Sequence, residues 1–79
     1  MRATVLVRPK QGILDPQGAA VVTALDHLGF GVSDARIGKV IDLEVDAADA
    51  DTARAQVEKM CEQLLANKLM ESFEIEIHA

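Results

Sequence analysis

Thirteen carboxylates, two histidines and one cysteine are the side chains in this sequence able to transfer protons, ligate metal or attack as nucleophiles. The carboxylates come closest to a pattern. Asp42, Glu44 and Asp46 alternate with apolar residues in IDLEVDA, and Glu74 and Glu76 do the same in SFEIEIH. Two carboxylates can divide acid and base roles when enclosure pushes their pKa values apart. A period of two instead sets all five on the outward side of extended chain, where charge is ordinarily solvated. His27 and His78 have no second His or Cys at a metal-ligand spacing, so a zinc or iron site lacks its ligand count. Cys61 falls on an apolar helical stripe, where cysteine acts as a small hydrophobe, whereas a nucleophilic thiol needs exposure and an activating base. The five glycines fit neither a dinucleotide fingerprint nor a phosphate loop. No catalytic, cofactor-binding or metal-ligating residue is therefore expected on this chain.

Four basic residues, Arg8, Lys10, Arg36 and Lys39, have the chemistry to hold an anion or meet an acidic partner. They sit in a chain with 13 acids, 8 bases and a net charge of −5, which phosphate backbones would meet with repulsion. With only Phe30 and Phe73 as aromatics there is almost no platform for base stacking, so a nucleic-acid role is not expected. Nothing approaches the roughly 18 continuous apolar residues of a membrane span. One thiol and no leader-like opening segment point to a reducing, cytoplasmic setting.

The elements that would carry these groups are well marked. RATVLVR alternates, with Ala3, Val5 and Val7 on one face, and Pro9 ends the ladder, giving a first strand over residues 2–8. Asp15-Pro16 starts a helix, a carboxylate cap followed by proline at the first helical position. Val21, Ala24, Leu25 and Leu28 then define its inward stripe, and Gly29 suits a left-handed closure in which Phe30 folds back on Leu25. In VSDARIGKVIDLEVDA, positions 35, 37, 41, 43 and 45 are apolar on one face. Read as one strand it runs about 12 residues, or roughly 40 Å, twice the usual length. It must overhang its sheet or bend at Gly38, and it leaves backbone groups for a second chain to satisfy. A hairpin broken near Ile37-Gly38-Lys39 is the competing reading. Lys39 falls among the inward positions, which a bulge at Gly38 would reset. Asp49 or Asp51 caps a second helix whose stripe is Ala53, Val57, Met60, Cys61 and Leu64, with Asn67 as a left-handed terminator. SFEIEIH is the last strand.

This β-α-β-α-β order makes residues 1–79 a single domain. The economical packing is two-layer α+β, ferredoxin-like, with two helices on one face of a mainly antiparallel sheet and a long, bent second strand. A chain this short buries only about 60% of its unfolded surface and usually needs a staple or a partner. With one cysteine, oligomerisation is the stabiliser left.

Three phrases taken in order, VRPKQGILDPQGAAVVTALDHLGF, ARIGKVIDLEV and VEKMCEQLLANKLMESFEIEI, resemble the PurS family, the small subunit of phosphoribosylformylglycinamidine synthase. The shared features fall at Pro9 to Gly12, Leu14 to Gly18, Leu28 to Phe30, Arg36 to Lys39 and Met60 to Asn67. Gln11 lengthens the lead, and Lys68 stands where the family commonly has proline. The resemblance implies a non-catalytic accessory subunit of an enzyme that amidates formylglycinamide ribonucleotide in purine biosynthesis. It implies a dimer or dimer of dimers that bridges a synthetase and a glutaminase subunit and assists ammonia transfer. It implies no cofactor on this chain, with ATP, magnesium and glutamine used by the partner subunits. Gln11, Gly12, Asp15, Gln17, Arg36 and Lys39 are the expected partner contacts. Asp15, Pro16, Gly18, Gly29, Gly38 and Asn67 are expected to shape turns and caps. The alternatives are a free-standing metabolite-binding regulatory module, holding an effector near Gly12 and Gly31, and a small enzyme using Glu74 and Glu76.

Overall fold

Strict alternation lets one strand serve two neighbours and two faces, and Arg2–Pro9 (β1) does so at the centre of a three-stranded antiparallel sheet. Its neighbours are Lys39–Glu44 (β2) and Glu71–His78 (β3). The helices are Pro16–His27 (α1) and Ala50–Met60 (α2), the second continued by a π-helical turn over Cys61–Leu65. This computed structural model describes residues 1–12 and 15–78; Leu14, the first residue of the Leu14–Gly18 run, and Ala79 lie outside them. The order is β-α-β-α-β, two-layer α+β, as expected.

Ala3, Val5 and Val7 are buried, and Ile41 and Leu43 from β2 and Phe73, Ile75 and Ile77 from β3 pack with them. Opposite lie Ala53, Val57 and Cys61, each fully buried, so α2 supplies the other half of the core. Met60, at the end of α2, is exposed, and beyond Cys61 the expected stripe fails: Leu64 is 83% exposed while Leu65 and Ala66 turn inward. The cause is the wider turn. Ala66 N bonds Cys61 O across five residues, and the extra residue rotates everything after Cys61. Asn67 is not left-handed, since only Gly12 and Gly29 have positive φ among the described residues. It shapes the turn differently: its side-chain oxygen accepts from Leu69 N, and its carbonyl accepts from Met70 N and Glu71 N.

Helix α1 is closed as its sequence indicates. Gly29 adopts φ 93, its N–H reaches Asp26 O, and Phe30 N reaches Leu25 O. Its expected inward stripe is not covered. Gly18 is the only buried residue of α1; Leu25 is half-buried, Val21 and Ala24 are exposed, and Leu28 is 72% exposed. The reason is placement: α2 packs on the sheet over β3, whereas α1 docks through Gly18 against the backbone of Ala35 in the segment entering β2. The molecule is accordingly elongated, 50 × 25 × 14 Å, with a radius of gyration of 15.8 Å where a compact chain of this length has about 12 Å.

The β1–β2 register is unbroken from Arg2↔Glu44 to Val7↔Lys39, so Gly38 introduces no bulge and residues 39–44 form one strand, not a hairpin. The hydrogen-bonded part is six residues long. The preceding residues 32–38 run past the end of β1 and have no ladder within the chain, which is why the long extended stretch is only half paired.

Candidate functional site: the capped loop and the entry to the second strand

Asp15 is the hub of the end of the molecule beyond Pro9. One carboxylate oxygen accepts from Gln17 N at 3.0 Å and Gly18 N at 3.1 Å, capping α1. The other accepts from Ile37 N at 2.7 Å, tying the helix start to a residue 22 positions away. Hydrogen bonds from Ile37 and Gly18, then Gln17, with the Arg36 charge behind them, hold its carboxyl below the usual range. Arg36 completes the clamp: Nη1 donates to Lys10 O at 2.8 Å, and Nε lies 3.6 Å from Asp34. Lys10, the helix start and the strand entry are thus tied together.

Both close approaches in it require glycine. A Cβ on Gly18 would meet the carbonyl oxygen of Ala35, and a Cβ on Gly38 would meet that of Val7. The glycines, the Asp15-Pro16 cap and the Arg36 anchor together fix the direction in which residues 35–38 leave the sheet.

Of the expected contact residues, Asp15 and Gln17 share the helix cap and Arg36 is joined to their loop through Lys10. Gln11 and Gly12 form an exposed turn, Gly12 with φ 86. Lys39 begins β2 opposite Val7, on the inward face yet exposed. Two shallow depressions flank this region. One of about 320 Å³ has Arg8, Pro9, Arg36 and Val40 in its wall. The other, of about 360 Å³, has Asp15, Gln17, Ile37 and Glu71. The four basic residues that look scattered in the sequence therefore gather at one end. Sequence reasoning missed the Asp15–Ile37 and Arg36–Lys10 bonds, because no local spacing signals a bond across more than twenty residues.

The carboxylate face behaves as alternation requires. Asp42, Glu44, Glu74 and Glu76 are exposed; Thr4 Oγ1 lies 3.0 Å from both Asp42 Oδ1 and His78 Nε2, and Arg8 pairs with Glu74 at 3.0 Å. Burial, with Glu58 and Glu62 nearby, pushes the Cys61 thiol up and keeps it protonated. Among the described residues no three His, Cys, Asp or Glu side chains come together as a metal cluster, and no helix is long and apolar enough to cross a membrane.

Fold and site together define a class: a small two-layer α+β module with a helix start clamped to the entry of the second strand and an extended segment, residues 32–38, that runs clear of its own sheet. The family model for PurS, phosphoribosylformylglycinamidine (FGAM) synthase, matches residues 2–79, and the chain belongs to that family. The PurS subunit of Synechocystis sp. is 48% identical over 79 residues, covering 99% of this chain and 77% of the relative. The crystal structure of Bacillus subtilis PurS superposes with a TM-score of 0.87 at 39% identity, covering 99% of this chain and 98% of the other. A chain in the structure of PurLQS from Thermotoga maritima gives 0.86 at 33% identity, covering 95% and 93%.

Proposed function

We propose that this chain is the small accessory subunit of phosphoribosylformylglycinamidine synthase, required for assembly with the synthetase and glutaminase subunits and carrying no catalytic residue itself. The observation that supports this most is the similarity, along nearly its whole length, to a chain of the Thermotoga maritima PurLQS structure. The geometry agrees. The carboxylates are solvated rather than enclosed, the thiol is buried, and Asp15 and Arg36 clamp the helix start and Lys10 to the entry of β2. Fixing such anchor points before association lowers the entropy lost on binding.

Gln11, Gly12, Asp15, Gln17, Arg36 and Lys39 present this loop end to a larger subunit. The chain works in the cytoplasm as a homo-oligomer, bridges its two partners and assists the passage of ammonia between them. ATP, magnesium and glutamine are used by those partners. Reconstitution tests the reading. The synthetase and glutaminase subunits, mixed with ATP, magnesium and glutamine, should lack glutamine-dependent amidation until this chain is added, and all three should co-elute. Full activity of the two larger subunits alone would overturn it. Exchanging Arg36 and Lys39 for glutamate should raise the concentration of this chain needed for half-maximal activity, leaving its helix content unchanged by circular dichroism.

A further inference from the structure

The depression where β1 ends and β2 begins carries a charge opposite to that of the chain. Its volume is about 320 Å³, in the range of small-molecule sites. Arg8, Arg36 and Lys39 line it and no Asp or Glu does, in a protein with 13 acids and 8 bases. Composition alone would put more carboxylates than cations there. Leu6 and Val40 face each other in the β1–β2 register and, with Pro9, make the apolar part of the wall. Gly38 leaves the bottom bare, since a Cβ there would press on the Val7 carbonyl and lie 3.5 Å from Arg8 Cα. Apolar neighbours thin the water around the cations, so each attracts an anion more strongly than a fully solvated charge does.

The cations are positioned without being used up. Arg36 Nη1 donates to Lys10 O at 2.8 Å and Nε lies 3.6 Å from Asp34, which holds the guanidinium and leaves further N–H groups of its fork. Arg8 gives one Nη to Glu74 at 3.0 Å and keeps the rest. Lys39, the first residue of β2, is exposed and makes no ion pair among the described residues. Two forks and an ammonium around one hollow suit an anion with several acceptor oxygens and more than one charge. A phosphate monoester has three such oxygens and a charge approaching −2 at neutral pH, roughly twice what a carboxylate offers.

We propose that this hollow binds a small phosphate-bearing molecule, with Arg8, Arg36 and Lys39 on the phosphate and Leu6, Pro9 and Val40 against its less polar part. Leu6, Arg8 and Val40 share the outward side of the sheet, so the hollow opens on that face. The site goes beyond the reading of Arg36 and Lys39 as contacts to a larger subunit, because this chain alone holds the phosphate.

Heteronuclear NMR on the isotope-labelled chain tests it, with inorganic phosphate, adenosine monophosphate and adenosine as probes and the ionic strength held constant with sodium chloride. The amide signals of Arg8, Gly38, Lys39 and Val40 should shift saturably with both phosphates, the nucleotide should bind more tightly than the bare anion, and adenosine should shift nothing. Lys39→Gln and Arg8→Gln should each weaken the nucleotide about tenfold, as expected for one charge-assisted hydrogen bond. Lys59→Gln, on the exposed side of α2, should leave it unchanged. Shifts that never saturate, or an equal loss in all three variants, would mean diffuse screening and overturn the site. Equal affinity for the nucleotide and inorganic phosphate overturns the part given to Leu6, Pro9 and Val40. If neither phosphate binds, yet Lys39→Gln raises the amount of this chain needed for half-maximal amidation, the phosphate site falls and the contact to the larger subunit stands.

Discussion

Asp15 shows how much one side chain does here without being buried. Its two oxygens satisfy two orphan helix donors and one strand donor, and those donors favour the charged form. Because its pKa is lowered in the folded state, its contribution is fully present above the unfolded value of 3.8 and is lost as pH falls through the lower native value. Asp15→Ala should therefore lower the melting temperature at neutral pH, and the gap from the parent should close as thermal melts are run toward pH 2. A gap that stays constant with pH would mean the carboxylate's charge is not what holds the cap.

At the scale of elements, two glycines and one wide turn decide where the helices lie. Gly18 lies inside α1, where alanine is intrinsically better by about 1 kcal/mol, yet Gly18→Ala should destabilise by about 1–3 kcal/mol because its methyl group meets the Ala35 carbonyl. Gly31→Ala is the control; nothing lies within 4 Å of the added carbon, and the change should be within about 0.5 kcal/mol. Urea unfolding distinguishes them. The π-helical turn makes a second contrast. Val57→Ala should cost about 2 kcal/mol, and Leu64→Ala, on a residue 83% exposed, about 0.5 kcal/mol or less. An uninterrupted α-helix would have made Leu64 costly as well.

For the whole molecule, elongation is the governing feature. A thin core on α2 and the sheet is one half of the chain, and an arm of α1 with residues 32–38 is the other. Gly38 is the joint between them, pressed on the Val7 carbonyl. Gly38→Val should disturb assembly more than helix content: size-exclusion elution shifts while the helical circular-dichroism signal is kept. Elution identical to the parent would show that the arm's direction does not set the assembly.

Local chemistry by itself determined the first and last strands, the start of α1 and its closure, because alternation, an Asp-Pro cap and a Gly-Phe end act within a few residues, while the second strand is half the length its alternation indicates and Asp49, not Asp51, caps α2. It also marked Asp15 through its cap and Arg36 through its charge, whereas Gln17 entered only through the family resemblance. Only the tertiary structure decided that Leu64 faces water, that the Val21–Leu28 stripe lies off the sheet, and that Arg8, Lys10, Arg36 and Lys39 share one end. Periodicity specifies which residues of a helix lie together, but not what they face. For α1 that is set by a bond between distant residues, Asp15 to Ile37, whose partners are chosen only when the chain has folded, and for the end of α2 by the wide turn from Cys61 to Ala66, which breaks the period that the sequence carries.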